Sequence, residues 1–112
     1  MRAPRLNRAF VLEQAARTTD DAGGYVEGWT PLGTLWAEVT ARSGGSVRGG
    51  STPLGRVRYR IVVRGAPLGS PQRPGPGQRM RDGERVYRIE AVGEHDPQGR
   101  YLICYANEEI VT

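Results

Sequence analysis

Sixteen glycines and eight prolines are spread through this chain of 112 residues, and that density constrains the fold more than any other feature. Proline lacks the amide donor of a helix interior, and glycine costs backbone entropy there. Long helices are therefore disfavoured, and the chain reads as short segments joined by turns.

The segments between the breakers alternate with period two, the signature of a strand with one face in a core. In GTLWAEVTA (33–41), Leu35, Ala37, Val39 and Ala41 share one face, and Trp36, Glu38 and Thr40 the other. In RVRYRIVVR (56–64), Val57, Tyr59, Ile61 and Val63 form an apolar face opposite Arg56, Arg58, Arg60 and Arg64. ERVYRIEAV (84–92) places Tyr87, Ile89 and Ala91 together. RYLICYA (100–106) is apolar on both faces, which predicts a central strand. RAFVLEQAAR (8–17) has mixed propensities and is read as a strand. The expected architecture is a single all-β domain over 1–112, a small β-barrel. Its expected core contains Leu35, Ala37, Val39, Val57, Tyr59, Ile61, Val63, Tyr87, Ile89, Leu102 and Cys104.

The connections carry turn chemistry. Thr18–Gly24 reads as a turn built on Asp20 and Asp21, Asp82–Glu84 as a tight turn, and GEHDPQG (93–99) as a hairpin loop. APLGSPQRPGPG (66–77) is too rich in proline and glycine for a central strand and reads as a linker or extended arm. SGGSVRGGSTPLG (43–55) is a long, soft loop with almost nothing to pack in a core. Loops of that length in compact domains are functional or disordered.

Charge is segregated. The net charge is +4 and all sixteen basic residues are arginine. Between Glu38 and Asp82 there are arginines at 42, 48, 56, 58, 60, 64, 73, 79 and 81 and no acid; all twelve acids lie in the flanks. Such a middle suits a polyanion, or the acidic flanks of a neighbouring copy.

Several classes find no support. There is no apolar run long enough for a membrane helix, and the basic N-terminus lacks an apolar signal core; synthesis in the cytoplasm is expected. Cys104, the single cysteine, lies in an apolar run and reads as a small core side chain. His95 sits in a turn and reads as solvent-exposed. No nucleophile elbow and no Cys/His cluster is present, so no catalytic residue, metal site or cofactor is expected. Binding or assembly is the class indicated. A free nucleic-acid-binding barrel would need exposed aromatics for base stacking, and the cationic strand offers only Tyr59, on its apolar face.

Four segments in order resemble the phage head–tail joining, or head-completion, family: GWTPLGTLWAEVTARSGG with its WA-x-V strand and Ser-Gly loop, VRYRIVVRG, MRDGERVYRIEAV, and the closing GRYLICYANE. The resemblance runs from about Gly28 to Glu108, and the insert at 66–77 departs from it. It implies a small β-barrel with a long loop between the second and third strands. It implies a stopper: a homo-oligomeric ring, six- or twelve-fold, in the neck of a tailed phage or a gene transfer agent. Such a ring closes the DNA-filled head. Its implied partners are the portal-bound adaptor protein, the tail terminator protein and packaged double-stranded DNA, with no membrane. A tail terminator or tail-tube ring protein is the alternative. The loop residues Ser43, Gly44, Gly45, Ser46, Val47, Arg48, Gly49 and Gly50 are then expected to face the channel and DNA. Arg56, Arg58, Arg60, Arg64, Glu108 and Glu109 are expected at ring or partner contacts.

Overall fold

The computed structural model describes residues 3–42 and 57–109, which form six strands and no helix: β1 (Arg8–Thr19), β2 (Tyr25–Ala41), β3 (Val57–Arg64), β4 (Arg79–Asp82), β5 (Arg85–Glu94) and β6 (Tyr101–Glu109). All neighbours pair antiparallel in the order β1-β2-β3-β6-β5-β4, and β4 returns to β1, so the sheet closes into a barrel. Closure removes the free edges that an open sheet would expose.

The alternation read from sequence fills the interior. Ala37, Ile61, Val63, Tyr87, Ile89, Leu102 and Cys104 are buried, joined by Phe10, Leu12, Met80 and Ala106; Leu35, Val39 and Tyr59 pack against them from the ends. Tyr87 is the hub, with Phe10 and Tyr59 meeting its ring edge-on at centroid distances of 5.4 and 5.2 Å, the geometry favoured by the ring quadrupole.

Three strand readings change. Ala91 is exposed rather than inward, because the β5–β6 register shifts between Ile89 and Ala91 and turns Val92 to the core instead. One extra residue in a strand reverses every side chain beyond it. Val57 lies at the barrel end and is 43 % exposed, and Ala41 beside it is exposed as well. β1 and β2 are longer than the alternating cores that announce them. They run to Thr19 and from Tyr25, so the turn shrinks to residues 20–24, where Asp20 Oδ1 accepts from the Ala22 and Gly24 amides at 2.9 and 3.0 Å.

The two ends of the barrel differ. At one end β2 stops and β3 begins, with the 43–56 connection between them; that connection lies outside the described residues. At the other end the β1–β2 hairpin continues past the barrel as a two-stranded ribbon. The 66–77 segment also lies at that end and is not a free arm. Pro74 is buried, Arg73 Nη1 donates to the Ala66 carbonyl at 2.8 Å, and the Gly77 amide donates to the Ile89 carbonyl at 3.0 Å. His95 is half-buried rather than exposed, its amide donating to the Tyr101 carbonyl.

Candidate assembly surface

Three surfaces could meet a partner. The first is the barrel end from which residues 43–56 depart. Its stems leave side by side: Ala41 pairs with Tyr59, and the Arg42 amide donates to the Arg58 carbonyl at 2.9 Å. Ion pairs rim this end. Arg8 Nη2 lies 2.8 Å from Asp82 Oδ2. Arg85 grips Glu108 with two hydrogen bonds, Nε to Oε2 at 2.8 Å and Nη2 to Oε1 at 3.0 Å, the bidentate fork that suits guanidinium and carboxylate. That grip holds the Glu108 carboxyl below its ordinary range, and the same pair keeps the Arg85 guanidinium firmly charged. Burial, then the nearby Glu108 charge, pushes the Tyr59 phenol up.

The second surface is the outer face of β3. Arg58, Arg60 and Arg64 are exposed, and none of them makes an ion pair among the described residues. They alternate outward because Tyr59, Ile61 and Val63 alternate inward. Across the strands the row is flanked by Thr40 and Tyr105, each paired with Arg60, and Arg42 stacks over Tyr105 at 5.0 Å. Three uncompensated guanidiniums on one strand face repel one another, and an anionic partner relieves that repulsion.

The third surface is the ribbon and its base. Following inward Phe10 and Leu12, Glu13 alternates to the outside, at a register shift where Leu32 of β2 is the extra residue, and it is nonetheless 4 % exposed. Arg79 Nε and Arg81 Nε donate to its two oxygens at 2.7 and 3.0 Å. Burial alone would raise this carboxyl, but the two guanidiniums outweigh it and hold it below its ordinary range. Trp29 from the ribbon covers Arg79 at 4.1 Å and Arg88 at 5.4 Å, and Arg88 pairs with Glu109 at 3.1 Å. This stack ties the ribbon base to β4 and β5.

Of the residues singled out from sequence, Ser43–Gly50 and Arg56 lie outside the described residues. Arg58, Arg60 and Arg64 come together as a row. Glu108 lies across from Val57 at the barrel end, and it and Glu109 are engaged within the chain by Arg85 and Arg88. Glu13, Trp29, Arg79 and Arg81 were not singled out; the only sequence signal was an acid inside an otherwise apolar stretch, AFVLEQAA. Among the described residues no group of His, Cys, Asp and Glu is placed to hold a metal ion. Cys104 is buried, and desolvation pushes its thiol up to about 12. Recognition of anions and protein surfaces is the chemistry this arrangement supports.

Comparison with known proteins shows the family. The model of the phage head completion protein family matches residues 1–109. The chain belongs to that family. A chain in the virion of a native gene transfer agent particle is 51 % identical, with a TM-score of 0.80, over 98 % of this chain and 100 % of that one. The solution structure of protein SF1141 from Shigella flexneri 2a shares the fold, with a TM-score of 0.71 at 23 % identity and full coverage of both chains. No curated protein matches the chain.

Proposed function

We propose that this head completion protein is the stopper of a phage-like particle, most closely a gene transfer agent. It forms a homo-oligomeric ring, six- or twelve-fold, in the neck between the portal-bound adaptor and the tail terminator. The ring closes the DNA-filled head and offers the surface on which the tail docks. The carrying observation is the 51 % identity over nearly the whole chain to a component of a gene transfer agent virion. The barrel suits the role because closure pairs the strands of its wall on both sides and leaves its ends, its outer faces and the projecting ribbon for partner contacts.

Within that reading, residues Gly44–Thr52 face the channel, with Arg48 attracting the DNA end. Support comes from their glycine-rich composition and from the paired stems at Arg42 and Arg58. The outward Arg58, Arg60 and Arg64 then serve contacts with neighbours or with DNA. Replacing Gly44–Thr52 by a two-residue turn tests this directly. The variant is expected to keep its β circular dichroism spectrum and to load onto heads, while filled heads carrying it leak DNA. Arg48→Ala is expected to have a smaller effect, screened by salt. Shortened variants that retain DNA as well as the wild type refute a channel role for the segment. A chain that binds tail tubes but not portal–adaptor heads refutes the stopper assignment in favour of a tail protein.

A further inference from the structure

Two features of the projecting half of the molecule leave large apolar side chains in solvent; at the first, the Tyr25 ring meets only the Arg17 guanidinium, at 5.7 Å, among the described residues. The first is the β1–β2 ribbon. Among the described residues, β1 pairs beyond Glu13 only with β2, and β2 before Ala37 only with β1. An isolated two-stranded ribbon is marginally stable, yet this one presents Tyr25 and Val26 near its tip at 65 % and 57 % exposure. The tip is acidic, with Asp20, Asp21 and Glu27 against Arg17. Asp20 is occupied in the turn, and Glu27 meets Arg17 only at 3.7 Å with both side chains largely in solvent.

The second feature is a groove at the ribbon base. β2 and β3 separate beyond the Ala37–Val63 pair, because the Gly65 amide turns to the Arg100 carbonyl at 2.7 Å. The cavity of about 390 Å³ left between them is walled by Leu6, Leu35, Trp36, Arg64 and Ala66. Trp36 is 56 % exposed. Thr34 and Gln72 share the lining, and Arg64, its one charged residue, makes no ion pair among the described residues.

The two features are complementary: an apolar tip with acids, and an apolar groove with an arginine. They cannot satisfy each other in one molecule. Tyr25 lies ten residues from Leu35 along the same strand, up to about 33 Å away by strand rise. A knob and a hole at different places on identical chains make a heterologous contact, the kind that closes rings.

We propose that the ribbon tip of one copy docks into the Trp36 groove of the next. Tyr25 and Val26 cover Trp36, Leu6 and Leu35, and Glu27 faces Arg64. The inference rests on the ring reading above and names the contact that builds the ring. Its occupant is a second copy of this chain, and the match of charge and apolar surface selects it.

The test uses full-length chain loaded onto filled heads that lack their own copy. In a Val26→Cys, Trp36→Cys double variant, mild oxidation is expected to give a ladder of disulfide-linked copies on a non-reducing gel. Neither single variant should give it, since Cys104 is buried. Glu27→Arg and Arg64→Glu are each expected to lower ring occupancy about tenfold or more, the effect of placing like charges face to face. The double reversal restores it. Melting temperature and circular dichroism confirm that each variant is folded. No ladder, or single reversals that assemble like the wild type, overturns the proposal. So do intact rings that lose only tail or adaptor binding, which would assign the groove to another neck protein. The stopper reading fails by a different readout: heads lacking this chain that hold their DNA and accept tails.

Discussion

Replacing Glu13 with Gln removes one charge from a buried ion cluster with Arg79 and Arg81 and leaves its shape in place. Glu13 is 4 % exposed and accepts hydrogen bonds from Arg79 at 2.7 Å and Arg81 at 3.0 Å. A glutamine accepts from one guanidinium only and turns its amide hydrogens toward the other. Breaking a fully buried pair costs about 3–5 kcal/mol. Here the arginine side chains are 19 % and 39 % exposed, so water recovers part of the loss, chiefly at Arg81. The expected cost is about 2–3 kcal/mol. In urea this moves the midpoint down by about 1–2 M at an unchanged slope, and in a thermal melt by roughly 10 °C. The pH dependence has a definite sign. The folded Glu13 carboxyl lies below its ordinary value of 4.5, so its contribution is present at neutral pH and is lost as pH falls through the folded value. The gap between wild type and variant should therefore narrow below about pH 4.5 and close in stronger acid. A variant within about 0.5 kcal/mol of wild type at pH 7, the range of ordinary surface substitutions, refutes the reasoning. A gap that stays constant from pH 7 to pH 3 refutes it too.

Ile61→Ala, at a site with no solvent exposure, is expected to cost about 2–5 kcal/mol in urea unfolding; a smaller loss would mean that the barrel collapses around the cavity. Gly65→Ala should destabilise by more than about 1 kcal/mol, because a Cβ there collides with the Gly99 carbonyl oxygen and lies 3.0 Å from that of Arg100; an unchanged melting temperature would show that this crossing yields. Cys104, its thiol pushed up to about 12 by burial, should resist alkylation at pH 8 until urea unfolds the chain, and labelling of the native protein would contradict the packing.

Much of the barrel was legible before any coordinates. Ile61, Val63, Tyr87, Ile89, Leu102 and Cys104 reach the core because side chains alternate along a strand and apolar ones avoid water, both of which are local matters. The turns at Asp20 and Gly83 were equally local; Gly83, with φ of 62°, adopts the left-handed backbone that glycine tolerates. The interior of β1 was harder, since RAFVLEQAAR mixes helix and strand formers, and only pairing with β2 and β4 makes it a strand that buries Phe10 and Leu12. Ala91 was misplaced because a bulge depends on the partner strand, which local alternation does not record.

The charges divide the same way. That arginines fill the middle of the chain and acids its flanks is a fact of sequence. Which of them remain available is a fact of folding. Closing the barrel brings Glu13 to Arg79 and Arg81 and Asp82 to Arg8, and the β5–β6 hairpin brings Glu108 to Arg85, pairs separated by 23 to 74 residues. Much of the segregated charge is thus spent inside the molecule. Among the described residues Arg58, Arg60 and Arg64 make no ion pair: their strand turns its other face to the core, and the residues directly opposite them are Asn107, Thr40, Tyr105 and Tyr101. Charge segregation can be read along one dimension, but charge pairing depends on distance in three, and the pairing of β4 with β1 and of β5 with β6 set those distances.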